Sequence, residues 1–467
     1  MRRSIEAGMI ASPQDRNEPN MQFSLSSVAA RLFAPTREAL AVWGVIVFAA
    51  SLALFLWGHG AARDIYFDET WYVATARTLI KSGEMLHQEH PPLGKLLIAS
   101  GMVLFGDDPF GWRATSALFG ALTLVGTLLW SYALLRSVAQ SLWACAVTAF
   151  DFVVYVQARI AMLDIFLMAF CVLALAFFTF SFKERRSERR SFVFALLMGV
   201  CFGLAGACKL SGLFPLFGVV AVRLLLGLLK LWRVHFEDPR ESDFFTPEAW
   251  RALTPGKSLL AFVVAPFLAY FATYVPQMLH EGTILEFFAS QRRMIAIMTG
   301  VSASHPYSSL WFQWPAMTRP VWYLFHIEGG PGAQWSANNP AQAIVGMASP
   351  LVLFAGEAAI LAAAWRWIAR RDTDGMIVTV AFFSQYLPWA LNPKGLEFFY
   401  YYFPALLSAG PALALAFFRG SQPRPLAAVG FLVASGLLFV FFLPVMSAQF
   451  PVDPDAFSRR IWFDFWR

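Results

Sequence analysis

Apolar runs of about 20 residues recur along the whole chain, each long enough to cross the roughly 30 Å hydrocarbon core of a bilayer as a helix. They lie near 39–58, 114–135, 139–156, 160–181, 191–208, 211–230, 258–278, 341–367, 376–391, 402–418 and 424–445. Composition agrees: 58% of the 467 residues are hydrophobic and 14% are charged, against roughly 45–50% and 25% in soluble domains. These values exclude a soluble enzyme, a disordered chain and a secreted disulfide scaffold. Inside lipid each backbone N–H and C=O needs an internal partner, which helices supply within one segment. The expected fold is an all-α polytopic integral membrane protein.

The net charge of +6 does not call for a nucleic-acid partner, because basic residues of membrane proteins collect in cytoplasmic loops. Cys145, Cys171, Cys201 and Cys208 all fall inside apolar runs, so neither a disulfide nor a metal site is expected from them. The first 38 residues carry Arg2, Arg3, Arg16, Arg31 and Arg37 without an apolar core. They read as a cytoplasmic tail before an uncleaved anchor, not as a signal peptide.

A twelfth apolar stretch, Leu93 to Phe105, follows Pro91-Pro92 and contains Lys95. Its 13 residues are short for a span,. Charge decides between the two counts. With that stretch outside the bilayer core, 22 Lys and Arg fall on the cytoplasmic side and 14 on the other. With it spanning, the basic run 183–190 moves outside and the balance reverses to 15 and 21. The positive-inside rule selects about 11 spans, with the N-terminus in and the C-terminus out. The expected organisation is then a tail 1–38, a membrane module 39–278 with a first outer loop 59–113, and a region 279–467. The last comprises a second outer loop 279–340 and four membrane helices. The inner connector 231–257 reads as solvated and unremarkable in charge.

The outer loops hold the chemistry. Tyr66-Phe67-Asp68-Glu69-Thr70-Trp71-Tyr72 follows the first run and opens a stretch with Tyr72, Thr75, Ala76 and Leu79 at helical spacing, suited to a helix lying on the membrane surface. Asp68 and Glu69 would stand at its positive end, either as caps or as reactive carboxylates. His90-Pro91-Pro92-Leu93-Gly94-Lys95 lies further on, then Arg113 at the mouth of the next run. Asp164, about one turn into a run beginning near Arg159, is costly at that depth and so marks a functional site, or else a buried pair with Arg159 or another cation. Carboxylates (Asp68, Glu69, Asp164), cations (Lys95, Arg113, Arg159) and His90 suit transfer chemistry on an anionic, membrane-embedded substrate.

In this order, Phe67-Asp68-Glu69, His90 to Lys95 and Arg159 to Asp164 resemble the protein O-mannosyltransferase family, glycosyltransferases of the GT-C fold that use lipid-phosphate sugars. Ser304-His305-Pro306-Tyr307-Ser308-Ser309-Leu310-Trp311, with Trp314-Pro315 and Arg319-Pro320, resembles the family's second large outer loop. The likeness runs from about residue 40 to the C-terminus. Two departures stand out: 279–340 is too short for the β-trefoil (MIR) domain of eukaryotic members, and Asn392-Pro393-Lys394-Gly395 with Tyr400-Tyr401-Tyr402 matches the late outer motif only loosely. The bacterial type of the family lacks that domain.

The resemblance implies that Asp68 is the general base for a Ser or Thr hydroxyl and that Glu69 orients the acceptor. It implies Arg113, with Lys95 and Arg159, on the donor phosphate. His90 and Asp164 would shape the donor site, and His305 and Tyr307 would close it. The partners would be a polyprenyl-phosphate sugar donor, a Ser/Thr-bearing protein acceptor and the lipid bilayer, at the periplasmic face of a bacterial inner membrane. No metal cofactor is required, because the lipid phosphate leaves as a stable anion; the carboxylates leave a divalent cation open. Two other readings share parts of the pattern. One is a GT-C transferase acting on a glycolipid or polysaccharide, as in aminoarabinose transfer to lipid A. The other is a lipid-linked sugar transporter, disfavoured because the polar residues gather in outer loops and not at the bilayer midplane.

Overall fold

The computed structural model describes residues 31–236, 250, 253–300, 305–330, 332–392, 396–420 and 422–466. Most of the N-terminal tail, the middle of the connector 231–257, Ser304 and 393–395 lie outside the described residues.

Among the described residues eight helices are long and apolar enough to cross a membrane, or nine if one bent pair is a single span. Helix α1 (Arg37–Leu56) starts at Thr36, whose Oγ1 accepts the Ala39 N–H at 3.2 Å. The first outer loop then folds into α2 (Glu69–Ser82) and α3 (Leu93–Phe105). Tyr72, Thr75 and Ala76 are buried on one face of α2, as the helical spacing predicts. After α3 the chain reverses at Gly106 and enters α4 (Pro109–Leu135), where Asp108 Oδ1 accepts the N–H groups of Phe110 and Gly111, both at 2.9 Å. A cap of this kind is worth about 1 kcal/mol. It fixes the entry of the helix that carries Arg113.

Next come α5 (Val138–Ala149), α6 (Phe152–Gln157), α7 (Asp164–Lys183), α8 (Glu188–Cys208), a short 3-10 turn (Leu210–Leu213) and α9 (Phe214–Phe236). Helix α7 is apolar and buried nearly all round, so it stands at the centre of the bundle between α4 and α8,. Helices α10 (Pro255–Ala272, with a π turn at Leu260–Val264), α11 (Val275–His280) and α12 (Glu286–Gly300) lead into the second outer loop. The rest of the membrane region is α13 (Pro350–Arg370), α14 (Thr373–Tyr386), α15 (Phe403–Leu406), α16 (Ala409–Phe418) and α17 (Pro425–Phe442), followed by short turns of helix in the tail.

Three expectations need correction. The fold is not wholly helical: the second outer loop contains an antiparallel pair, β1 (Val321–Ile327) and β2 (Ala341–Gly346), in register from Val321↔Gly346 to Ile327↔Ala341 with an irregularity at Trp322/Leu324. The apolar run 341–367 is therefore strand up to Gly346 and helix only from Pro350; a short buried strand and a helix are equally apolar, so hydropathy merges them. The runs 139–156 and 402–418 are each broken. Asp151 interrupts the first, its Oδ1 accepting the Ser349 N–H at 2.9 Å, and the second bends by 41° between α15 and α16.

In lipid, helices associate through close packing of small residues and not through the hydrophobic effect. Gly199 and Gly203, one turn apart on α8, show this: a Cβ at Gly203 would lie 2.2 Å from the Pro266 carbonyl oxygen of α10, and one at Gly199 would lie 2.0 Å from that of Ala261. Gly203→Val should therefore separate α8 from α10 and destabilise the protein by about 1–3 kcal/mol. A lowered melting temperature of the detergent-solubilised protein would register this; an unchanged one would show that the two helices do not depend on this contact.

Candidate active site

The segment 59–113, from the end of α1 into α4, is locked by one buried ion pair. Glu69 Oε1 and Oε2 accept from Arg113 Nε and Nη2 at 2.7 and 2.8 Å, and both side chains are fully shielded from solvent. Glu69 also accepts the backbone N–H of Ala161 at 2.8 Å and of Tyr66 at 3.3 Å. Arg113 in turn donates to the carbonyls of Ala62 and Asp64 and lies 4.7 Å from the Tyr66 ring. The pair thus ties α2, α4, the stretch before α7 and residues 62–66 together. A bidentate guanidinium–carboxylate contact with its remaining groups satisfied is the arrangement in which a buried charge pair holds geometry.

The other two cations assigned to donor phosphate are also occupied by carbonyls. Lys95 Nζ donates to His87 and His90 at 2.7 and 2.8 Å and is completely buried. Arg159 donates to the carbonyls of Phe55, Trp57 and Gly58 at 2.8, 2.5 and 2.8 Å, closing the C-terminal end of α1, where helix carbonyls lack partners. Sequence reasoning grouped Arg113, Lys95 and Arg159 by charge and place along the chain. In the folded chain each one secures backbone, and Glu69 clamps Arg113 with both carboxylate oxygens.

Asp68 has a different setting. It sits half-buried at the start of α2, directly after Phe67, whose φ of 53° is left-handed and costly for a bulky residue. Ring contacts hold Phe67 there, at 4.8 Å from Tyr323, 6.0 Å from Tyr400 and 6.3 Å from His305. Burial raises the Asp68 carboxyl to about 6, with nearby Asp164 and Glu89 adding to the rise while Lys209 and a hydrogen bond from Tyr400 oppose it.

Asp164 pairs not with Arg159 but with Lys209, whose Nζ donates to Oδ1 and Oδ2 at 2.9 and 2.8 Å. Lys209 also stands 5.2 Å from the Tyr400 ring and 5.5 Å from that of Tyr401. It lines a cavity of about 450 Å³ with His90, Glu89, Phe214, Met298, Trp389 and other mostly apolar neighbours. Sequence reasoning missed Lys209, although a lone lysine in the short break between the runs 191–208 and 211–230 was a usable signal. It also gave the Tyr400-Tyr401 pair little weight.

The second outer loop does reach the site. The His305 ring packs against Phe67 and Phe398, its Nδ1 accepts the Tyr307 N–H at 3.2 Å, and partial burial pushes its pKa down. Tyr307 packs against His305, with ring centroids 5.6 Å apart. Glu397 fastens this loop to the segment before Tyr400: its carbonyl accepts from Ser309 at 2.8 Å and its carboxylate from Trp311 at 2.9 Å. Among the described residues no three His, Cys, Asp or Glu side chains gather as a metal site.

Residues 45–280 match the family described as dolichyl-phosphate-mannose-protein mannosyltransferase, and 283–466 match the C-terminal four-helix membrane region of protein O-mannosyltransferases. The chain belongs to the protein O-mannosyltransferase family. A polyprenol-phosphate-mannose–protein mannosyltransferase of Mycolicibacterium smegmatis is 25% identical over 91% of this chain and 93% of its own length. Its counterpart in Mycobacterium tuberculosis is 26% identical over 91% of each. In fold the chain resembles a chain of the Saccharomyces cerevisiae protein O-mannosyltransferase Pmt1-Pmt2 complex bound to the sugar donor, with a TM-score of 0.73, 13% identity and coverage of 95% and 94%. It also resembles ArnT of Cupriavidus metallidurans bound to undecaprenyl phosphate, with a TM-score of 0.57, 16% identity and coverage of 86% of this chain and 64% of that one. The mannosyltransferase fold thus accounts for the helical bundle.

Removing one partner of the Glu69–Arg113 pair leaves a buried, uncompensated charge, which costs about 3–5 kcal/mol. Glu69→Ala should therefore lower the unfolding temperature strongly, followed by tryptophan fluorescence in detergent. Normal unfolding with lost activity would instead return Glu69 to direct work on the substrate.

Proposed function

We propose that this protein moves mannose from a polyprenyl-phosphate carrier to Ser or Thr hydroxyls of polypeptides, inverting the anomeric carbon, at the periplasmic face of a bacterial inner membrane. The bacterial relatives bearing that activity in their names support the donor and acceptor classes. The positive-inside count supports 11 spans with the N-terminus in the cytoplasm and the C-terminus outside. The observation that carries the mechanism is a half-buried carboxylate, Asp68, near a lysine that is paired with Asp164 and lines a largely apolar cavity.

The lipid-phosphate donor enters that cavity, with its phosphate at Lys209 and its chain along Phe214, Met298 and Trp389. Asp164 holds the ammonium in place; two of its three N–H groups serve Asp164, leaving donor capacity for the phosphate. Asp68 removes the hydroxyl proton as the acceptor oxygen attacks C1. The C1–O bond to phosphate breaks, and its electron pair leaves on the phosphate, stabilised by Lys209. A β-linked donor gives an α-linked product. His90, held through its carbonyl by Lys95, shapes the donor wall, while His305 and Tyr307 border the acceptor side. In this reading Arg113, Arg159 and Glu69 act behind the site, as the frame that aims Asp68. With a lysine facing the leaving phosphate, no metal is called for.

The deciding experiment is transfer from radiolabelled polyprenyl-phosphate-mannose by the purified protein, with a Ser/Thr-rich peptide and a lipid extract as rival acceptors. Label should enter the peptide and should vanish with Asp68→Asn while the donor remains bound. Label in the lipid fraction alone would reassign the acceptor to a glycolipid. Activity should persist in EDTA, and loss that is restored by a divalent cation would make the reaction metal-dependent.

A base must be deprotonated to work, and burial raises the Asp68 carboxyl to about 6. The kcat/KM should therefore be flat above that pH and fall about tenfold per unit below it. A profile flat down to pH 4.5 would remove Asp68 from the proton-transfer step. Lys209→Ala should weaken donor binding about tenfold or more; unchanged donor affinity would place the phosphate elsewhere.

A further inference from the structure

A second cavity, about 640 Å³, opens beside the first outer loop and shares no lining residue with the donor cavity. Its character is opposite. Arg63, Asp64, His326, Glu328, Gln342 and Gln449 line it, with the backbone of glycines and alanines between them. His326 and Gln342 are directly paired across β1 and β2, so both side chains stand on the same face of the hairpin. Arg63, Asp64 and His326 are exposed.

The walls are preformed. Ala448 N–H donates to the Ala343 carbonyl, and Val452 exchanges two hydrogen bonds with Ala341, which fastens 448–452 to the free edge of β2. Gln449 donates to the Trp57 carbonyl at 2.9 Å, tying the same segment to the end of α1. The opposite wall, 60–64, is held by the two carbonyl contacts of Arg113. A groove with fixed walls does not lose ordering entropy when filled.

The groove is lined by the chain segment that runs on to Asp68. Asp64 precedes Asp68 by four residues, so their Cα atoms are no more than about 14 Å apart. Tyr323, in ring contact with Phe67 at 4.8 Å, is three residues along β1 from His326, about 10 Å. A stretch of three or four extended residues bridges that distance.

We propose that this groove holds the acceptor polypeptide in extended form and delivers its hydroxyl to Asp68. This rests on the protein-acceptor reading above. The occupant follows from the lining: a polypeptide backbone alternates donors and acceptors, and the groove offers carboxylates at Asp64 and Glu328 against a guanidinium and amides at Arg63 and Gln342. A polyprenyl chain finds no apolar wall there. The two cavities divide the substrates, with the lipid donor past Lys209 and Tyr401 and the polypeptide past Phe67 and Tyr323. The mixed charges make affinity depend on residues flanking the modified Ser or Thr.

The test is steady-state transfer to two peptides with the same acceptor core, one flanked by Lys and one by Glu, using wild type, Glu328→Lys and Arg63→Glu. Glu328→Lys should raise the KM of the Lys-flanked peptide at least fivefold and lower that of the Glu-flanked one, with Arg63→Glu acting in the opposite sense. Donor KM and kcat at saturating peptide should stay within twofold of wild type, which also certifies folding. Unchanged peptide KM in both variants would overturn the groove while leaving the enzyme's function intact, and a shift in donor KM alone would assign the groove to the donor. If wild type transfers no mannose to either peptide, the protein-acceptor reading falls first and takes the groove with it. As a second measurement, a photo-crosslinker on His326→Cys should capture labelled peptide, competed by excess unlabelled peptide. Absence of capture under saturating conditions would count against the proposal.

Discussion

The Glu69–Arg113 pair is the constraint on which the outer site depends. A carboxylate and a guanidinium taken fully out of water carry a desolvation cost that only close geometry and complete satisfaction offset. Here the satisfaction comes from four stretches: residues 62–66, Ala161, and the helices α2 and α4 that carry the two charged partners. Such a pair adds little net stability over an apolar core, but it has one low-energy arrangement. Alternatives leave a buried charge exposed to a low-dielectric surround. A polar node therefore fixes this part of a bundle in which helices such as α8 and α10 pack by close contact at small residues.

Placed on that frame, the basic residues around the candidate site separate into two kinds. Arg113, Arg159 and Lys95 each satisfy backbone carbonyls, at the 62–64 loop, the end of α1 and the His87–His90 turn respectively. Lys209 instead meets a carboxylate and two aromatic faces at the edge of a cavity. A cation that completes a helix end or a turn has part of its donor capacity committed to backbone. An ammonium with two N–H groups on one carboxylate keeps donor capacity for a further anion,. That physical difference underlies the assignment of the phosphate to Lys209.

The membrane character of the chain was legible, because apolar length and charge asymmetry are properties of local sequence. The order of motifs also singled out Asp68, His90, Asp164 and His305, of which Asp164 stands near Asp68, His305 packs on Phe67 and His90 lines the cavity with Lys209. What could not be read was pairing at a distance. Asp164 and Lys209 are 45 residues apart, and Glu69 and Arg113 are 44 apart; nothing in either local pattern says which acid meets which base. Hydropathy also hid the break at Asp151 and the strand Ala341–Gly346, where local apolarity stays high while the backbone changes course. The Tyr400-Tyr401 turn was undervalued for the same reason: its value comes from facing Asp68 and Lys209 across the fold.

Adjacent carboxylates at one helix start usually share an environment, yet Asp68 and Glu69 do not. Successive residues of a helix point about 100° apart, so once Glu69 is drawn inward to Arg113, Asp68 must project to another side. The left-handed turn at Phe67 sets which side, and the aromatic contacts of Phe67 hold that costly conformation. The same contacts join the hairpin strand β1, through Tyr323, and the late membrane segment, through Tyr400, to the residue before Asp68. One strained backbone position thus links the polar groove, the carboxylate and the lysine-lined cavity. Strain at Phe67 is tolerated because three separate parts of the chain over-determine it, and the direction of Asp68 is the property so determined.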